Sequence, residues 1–169
     1  RVFERLRARI AVALEGLEFE IEHVGSTAVP GLAAKPIVDL DVIVPGPDGV
    51  LLAIERLAGL GYRHRGDLGV VGREAFHNPA ALPAHHLYLC PRGSLALLNH
   101  LGTRDYLRAN PDAAAEYARL KRRLAKAHPH DIDGYIEGKS AFLTGILARI
   151  GMNREELDSI EAVNRRPTR

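Results

Sequence analysis

The stretch from residue 23 to residue 44 constrains the fold most, because it ends in a strand that carries two aspartates. Apolar and acidic residues alternate there in the order Val38, Asp39, Leu40, Asp41 and Val42. In an extended strand, side chains two residues apart share a face, so Asp39 and Asp41 project together, opposite an apolar face. Two carboxylates about 6 to 7 Å apart repel each other and favour a divalent counter-ion with oxygen ligands. The pattern predicts catalytic, metal-binding aspartates with Mg or Mn.

A phosphate-binding turn is predicted just before this strand. Gly25 permits a tight strand exit and a close approach of the backbone to a ligand, and Ser26 and Thr27 add hydroxyls beside backbone N–H groups. Lys35, in the following spacer, either reaches into the site or is a solvated loop residue. Without a ligand, the same pattern describes a Gly-Ser turn before a strand with an acidic exposed face.

The order of these features resembles known families. Gly25-Ser26, a spacer and Asp39-x-Asp41 form the core pattern of the polymerase-beta-like nucleotidyltransferases. The full segment Gly-Ser-Thr-Ala-Val-Pro-Gly-Leu-Ala-Ala-Lys-Pro-Ile-Val-Asp closely resembles the signature of the GrpB family. Further matches follow in that family's order: Arg104-Asp105-Tyr106-Leu107-Arg108, Tyr117, Lys121, Tyr135 and Lys139. The resemblance extends over roughly residues 15 to 148.

The resemblance implies both a fold and a ligand. The fold is α+β and polymerase-beta-like, with a small mixed β-sheet and a C-terminal helical layer. The ligand is a nucleoside triphosphate or another phosphorylated small molecule, bound by the matching residues Arg104, Arg108, Lys121, Tyr135 and Lys139. Related domains are fused to dephospho-CoA kinase, so a kinase of that type is an expected partner. We expect Arg104, Arg108 and Lys139 to line one pocket with Ser26 and Asp39; alternatively, these cations are solvated or paired with nearby acids.

The hydrophobic periodicity predicts the remaining elements in order. Helices are expected over residues 1–17 and about 51–60, and short strands over 19–24, 73–77 and 86–90. From residue 94 the chain is predicted to be helical, over about 94–109, 112–127 and 131–149 and after Asn153. We expect a single domain over 1–169, with a sheet-containing half of about 1–92 and a helical half of about 93–169.

Composition excludes several classes of protein. The chain has 46% hydrophobic and 26% charged residues, as expected of an ordered globular domain. No apolar run approaches the 18 or so residues that cross a membrane, and no signal-peptide pattern is present, so a cytoplasmic protein is expected. A net charge of +2, 5% aromatic residues and no Trp disfavour a partner such as long nucleic acid. The lone Cys90 has no partner for a disulfide.

A third acidic ligand is missing where nucleotidyltransferases of this class usually have one. The neighbouring strand reads His85-His86-Leu87-Tyr88-Leu89 and contains no carboxylate. If His86 takes that place, the preferred metal moves towards softer ions, since imidazole suits Mg poorly; otherwise His86 is satisfied by a backbone carbonyl. Glu74 is the other candidate ligand, although an ion pair with Arg73 or Arg65 explains it better.

Two functions from different classes follow from these patterns. The first is a metal-dependent nucleotidyltransferase that transfers a nucleotidyl group from a nucleoside triphosphate to an unknown acceptor. The second is a non-catalytic module on the same fold that binds a nucleotide, a CoA-like ligand or a protein partner. The motifs of P-loop kinases, Gly-x-Ser-x-Gly hydrolases and His-Glu-x-x-His metalloproteases are all absent from the sequence.

Overall fold

The aspartate strand is the second of five strands in a mixed sheet, in a computed structural model that describes residues 2–165. The strands are β1 (Glu20–Val24), β2 (Val38–Val44), β3 (Arg63–His64), β4 (Glu74–His77) and β5 (His85–Pro91). Their order across the sheet is β1-β2-β5-β4-β3. Strands β2 and β5 run parallel, and the other neighbouring pairs are antiparallel. The prediction of a small mixed sheet with helices is confirmed.

Six α-helices accompany the sheet within residues 2–165. They are α1 (Val2–Ala13), α2 (Pro47–Gly59), α3 (Leu95–Ala109), α4 (Pro111–Ala127), α5 (Ile132–Arg149) and α6 (Arg154–Asn164). Local chemistry sets several ends: Pro47 begins α2, where a missing N–H costs nothing, and Asn153 and Glu156 form a capping box before α6. The two-residue β3 was not predicted, and α1 ends before the expected residue 17.

One face of the sheet packs on α1 and α2 to form the main apolar core. Leu40 and Val42 of β2 and Leu87 and Leu89 of β5 are all fully buried there. Helix α1 adds Leu6 and Ile10, and α2 adds Ala53 and Leu57. The alternation along β2 therefore has its expected effect, since one side of the strand is buried in the core and the aspartates lie on the other.

The described chain separates into two compact units. The first contains the residues up to Ala28 together with Ala34–Leu101, and the second contains Val29–Ala33 together with the described residues from Gly102 on. The first therefore holds the whole sheet, and the second holds α4, α5 and α6. That these units form a single domain stays a prediction.

The second unit has a core of its own. Val29, Leu107, Tyr117 and Ile146 are buried together, and the ring of Tyr117 stacks on Phe142 with centroids 5.1 Å apart. Burial of these side chains stabilises the unit, because apolar burial is worth about 25 cal/mol per Å². None of the helices within residues 2–165 is long and apolar enough to cross a membrane.

Candidate functional site

The side of the sheet away from α1 and α2 carries ionisable side chains. In the strand register, Asp39 lies beside His86, Asp41 lies beside Tyr88, and Glu22 of β1 lies beside Asp41. Register partners project to the same side of a sheet. We call this side, defined by Glu22, Asp39, Asp41, His86 and Tyr88, the polar face.

Asp39 and His86 form an accessible ion pair on the polar face. The Nδ1–H of His86 donates to Oδ1 of Asp39 over 2.7 Å, with 55% of the histidine side chain and 24% of the aspartate side chain exposed. The hydrogen bond to Asp39 raises the pKa of His86 above its ordinary value, although burial opposes the shift. His86 therefore keeps its positive charge to a higher pH than a free histidine does.

Asp41 differs from Asp39, because its side chain is fully buried (0% exposed). The Nδ1–H of His100, from α3, lies 2.8 and 3.1 Å from its two carboxylate oxygens. A buried charge needs such a partner to offset its desolvation. The sequence analysis missed His100, although it lies three residues after the buried Leu97 on one face of α3.

Gly25 is required by the position of Asp39. Its backbone has a φ of 70°, and a β-carbon added there would lie 2.8 Å from Cγ of Asp39 and closer still to Oδ2. The close approach that the sequence predicted at Gly25 is therefore made by a carboxylate of the chain itself. A 3₁₀ turn, Ser26–Ala28, follows, and a 2.9 Å hydrogen bond joins Oγ1 of Thr27 to Nε2 of His23.

Arg73 is a second residue that the sequence analysis did not place in the site. Its guanidinium lies 4.6 Å from the ring centroid of Tyr88, on the polar face. Its positive charge also opposes protonation of His86 and so lowers the pKa of that imidazole. The Nε–H of Arg73 is buried and has no hydrogen-bond acceptor within residues 2–165. Such an orphaned donor costs about 1–3 kcal/mol unless a ligand oxygen satisfies it.

The polar face does not form a complete metal cage. Among the described residues, no three His, Cys, Asp or Glu side chains form a group suited to a metal ion. Mg has near-octahedral oxygen coordination, whereas one oxygen of Asp39 and both oxygens of Asp41 already contact imidazoles. The side chains that contact these carboxylates are therefore histidines. Metal binding by Asp39, Asp41 and His86 stays a prediction.

Glu74 does not supply the third carboxylate. It lies beside Leu89 in the register, so it points away from the polar face. Its Oε2 is 2.6 Å from Nε2 of His64. The prediction that Glu74 pairs with Arg73 or Arg65 is wrong, because its partner is His64. The acidic residue that lies beside Asp41 in the strand register is Glu22.

The predicted cations of the second unit have partners there. Nε of Arg104 lies 2.8 Å from Oδ1 of Asp105, and Nη1 of Arg108 lies 4.0 Å from the same atom. Nζ of Lys121 is buried, donates to the carbonyl oxygen of Ala33 over 2.6 Å and lies 5.1 Å from the ring centroid of Tyr117. Lys121 thus fixes the 29–33 segment to α4.

Two further residues of that unit contact each other. Nζ of Lys139 lies 4.5 Å from the ring centroid of Tyr135, and burial raises the pKa of Tyr135. Lys35 is exposed in the loop before β2. The nucleotide-binding roles of these residues, and the pocket expected to be shared with Ser26 and Asp39, stay predictions.

Known proteins resemble this chain over most of its length. The family described as GrpB protein matches residues 1–149. UPF0157 protein YqkA of Bacillus subtilis is 37% identical over 141 residues, which cover 83% of this chain and 41% of that protein. The crystal structure of the conserved protein GrpB from Enterococcus faecalis has a TM-score of 0.74 and 35% identity, covering 95% of this chain and 91% of that one. A dephospho-CoA kinase of Mycolicibacterium paratuberculosis is 27% identical over 165 residues, 80% of this chain and 40% of that protein. The chain thus spans about two fifths of the length of YqkA and about two fifths of the length of the dephospho-CoA kinase.

Proposed function

The chain belongs to the GrpB family, and on that premise we propose that it binds a nucleoside triphosphate or another phosphorylated small molecule on its polar face. The observation that carries this proposal is the buried Nε–H of Arg73, which has no acceptor within residues 2–165. Guanidinium groups bind phosphate oxygens through short, charge-assisted hydrogen bonds. A phosphate placed beside the guanidinium would offset the charge of Arg73, and a rotation of the side chain would bring the buried Nε–H to a phosphate oxygen.

The neighbouring residues suit the same ligand. The hydrogen bond to Asp39 raises the pKa of His86, which favours its protonated form. The rings of His86 and Tyr88 have centroids 6.4 Å apart, with the guanidinium of Arg73 over Tyr88. The turn at Gly25 borders Asp39, and Ser26 follows Gly25 directly in sequence. Arg73, together with a histidine whose protonated form Asp39 favours, supports a phosphate site on this face.

The finer proposal is nucleotidyl transfer on a polymerase-beta-like fold, with Asp39 and Asp41 as the catalytic carboxylates. Asp39 is the accessible one, and Asp41 is held by His100. A specific observation favours the non-catalytic alternative: each carboxylate already has an imidazole partner. The similarity to a dephospho-CoA kinase supports a CoA-like ligand or a kinase partner under that alternative.

Calorimetric titration of the full chain with ATP tests the proposal. We expect Arg73→Gln to weaken ATP binding roughly tenfold, because one charge-assisted contact is lost. Arg65→Gln is the matched control, since Arg65 is an exposed arginine near the same strand, and it should bind as the parent does. Equal affinity in the parent and Arg73→Gln would contradict the proposal.

A second measurement separates the two functions. With ATP and either Mg or Mn, a nucleotidyltransferase releases pyrophosphate when its acceptor is supplied, for example from a pool of cell metabolites. If the parent releases pyrophosphate and Asp39→Asn does not, the result supports nucleotidyl transfer. ATP binding without pyrophosphate release, and with the same affinity after chelation of metals, supports the non-catalytic module.

A further inference from the structure

The second compact unit contains a cleft of its own, with a volume of about 740 Å³. Three segments of this unit form the walls of the cleft: the turn at 29–32, the end of α3 and the first three turns of α4. The volume falls within the range of about 300–1,000 Å³ that is typical of small-molecule sites. All of the lining residues belong to this unit.

The floor of the cleft is apolar and fixed in place. Val29, Leu107 and Ala118 line it and are themselves buried. The bond from Nζ of Lys121 to the carbonyl oxygen of Ala33 ties the 29–33 wall to α4. The small side chains on this face of α4 keep the cleft open, so the site exists before a ligand arrives.

The rim of the cleft is positively charged. Arg108, Arg119 and Arg122 all line it, and no acidic side chain is among the described residues that do. Arg119 and Arg122 lie three residues apart and therefore on one face of α4. Within residues 2–165 neither forms an ion pair or a side-chain hydrogen bond, and both are exposed. Arg108 has an acidic neighbour, since its Nη1 lies 4.0 Å from Oδ1 of Asp105.

We infer that this cleft binds a small phosphomonoester or diphosphate carried on an apolar or aromatic group. The phosphate lies between Arg119 and Arg122, with Arg108 as a third donor, since guanidinium groups bind phosphate in bidentate fashion. The apolar part packs on Leu107 and Ala118. The inference does not depend on the proposed function, because the polar face and this cleft share no residue.

A fluorescence titration with 1-naphthyl phosphate tests the inference on the full chain, which has no Trp to interfere. We expect saturable binding by the parent, and at least tenfold weaker binding of 1-naphthol and of inorganic phosphate. The double variant Arg119→Gln/Arg122→Gln should bind roughly a hundredfold more weakly, about tenfold for each lost contact. The control, Arg123→Gln/Lys126→Gln, removes the same charge from α4 outside the cleft and should stay within twofold of the parent.

Two more variants locate the ligand. Ala115→Trp fills the cleft from an exposed position of α4, so it should abolish binding without changing the melting temperature by more than a few degrees. Arg73→Gln should leave 1-naphthyl phosphate binding unchanged. The inference is overturned if the parent does not bind, if both double variants lose binding equally, if Ala115→Trp binds normally, or if Arg73→Gln abolishes binding.

Discussion

The two faces of the sheet give neighbouring histidines opposite properties. His85 lies on the core face, where its Nε2 is 2.7 Å from the hydroxyl of Tyr62 and its Nδ1 is 2.6 Å from the carbonyl oxygen of Pro83. Burial lowers the pKa of His85, whereas the hydrogen bond to Asp39 raises the pKa of His86. A difference of one position along β5 therefore decides whether burial lowers the pKa of a histidine or a neighbouring carboxylate raises it.

The hydrogen bonds of His85 show why the core face keeps it neutral. Nδ1 donates its proton to Pro83, so Nε2 must accept from the hydroxyl of Tyr62. Burial raises the pKa of Tyr62 to about 12, which keeps that hydroxyl protonated. A second proton on His85 would reverse the bond to Tyr62, since Nε2 would then donate and the hydroxyl oxygen would accept. The core face thus uses polar groups to fix the structure, whereas on the polar face the pair of Asp39 and His86 stays accessible.

Truncating a buried residue on the core face should give the largest loss in the free energy of unfolding. Leu40 is fully buried between the two aspartates in sequence, so Leu40→Ala should lower the free energy of unfolding by about 2–5 kcal/mol. Leu51→Ala, at an exposed position of α2, should change it by no more than about 0.5 kcal/mol. Urea unfolding of both variants measures the difference, and a similar small loss in both would contradict the assignment of the core face.

The second prediction concerns Gly25, where the polar face meets the turn. Gly25→Ala should cost about 2–3 kcal/mol, because it adds left-handed strain to the clash with the Asp39 carboxylate. Gly16→Ala is the matched control, with a φ of 86° and open space around the new β-carbon, and should cost about 1 kcal/mol.

Replacing Asp39 in the same chain isolates the clash. Asp39→Ala removes the carboxylate atoms nearest to the new methyl group, so Gly25→Ala/Asp39→Ala should regain most of the extra loss. Thermal unfolding of the parent, the three single variants Gly25→Ala, Gly16→Ala and Asp39→Ala, and the double variant provides the measurement. If Gly25→Ala is no worse than Gly16→Ala, Asp39 does not lie against the turn.

The same comparison shows what the sequence could predict. The alternation along β2 assigns Asp39 and Asp41 to one face, because side-chain direction in a strand is a local property. Their partners are not local: His86 is 47 residues from Asp39, and His100 is 59 residues from Asp41. Strand register and helix placement bring them together, and neither can be read from periodicity.

Lys121 illustrates the same limit in the second unit. Its family match suggested a ligand cation, but its Nζ reaches a carbonyl oxygen 88 residues away in sequence. Because that contact depends on how the 29–33 segment returns to α4, no pattern within the helix indicates it. The cleft beside it was missed for the same reason, since its walls come from two distant parts of the chain.

The smallest expected effect is the pH dependence of stability, in which the two histidines have opposite signs. The pKa of His85 is lowered on folding, so its contribution is complete above the unfolded value of about 6.5 and is lost as the pH falls towards the folded pKa. The slope reaches at most about 1.4 kcal/mol per pH unit for one proton. His85→Gln should remove that slope between pH 6.5 and pH 5 in urea unfolding, while His77→Gln, at an exposed end of β4, should retain it.

His86 should show the reverse dependence, with a smaller amplitude. Its pKa is raised on folding, so its contribution is complete below about 6.5 and is lost as the pH rises through the folded pKa. Because the pair with Asp39 is partly exposed, the change should stay below about 1 kcal/mol and shrink in 1 M salt. An NMR titration of the ring protons measures it more directly: Asp39→Asn should lower the pKa of His86, and the pKa of His85 should move much less and upwards, because the charge of His86 lowers it. A downward shift of both histidines, or no shift of His86, would contradict the assignment of the hydrogen bond to Asp39 as the cause of the raised pKa of His86.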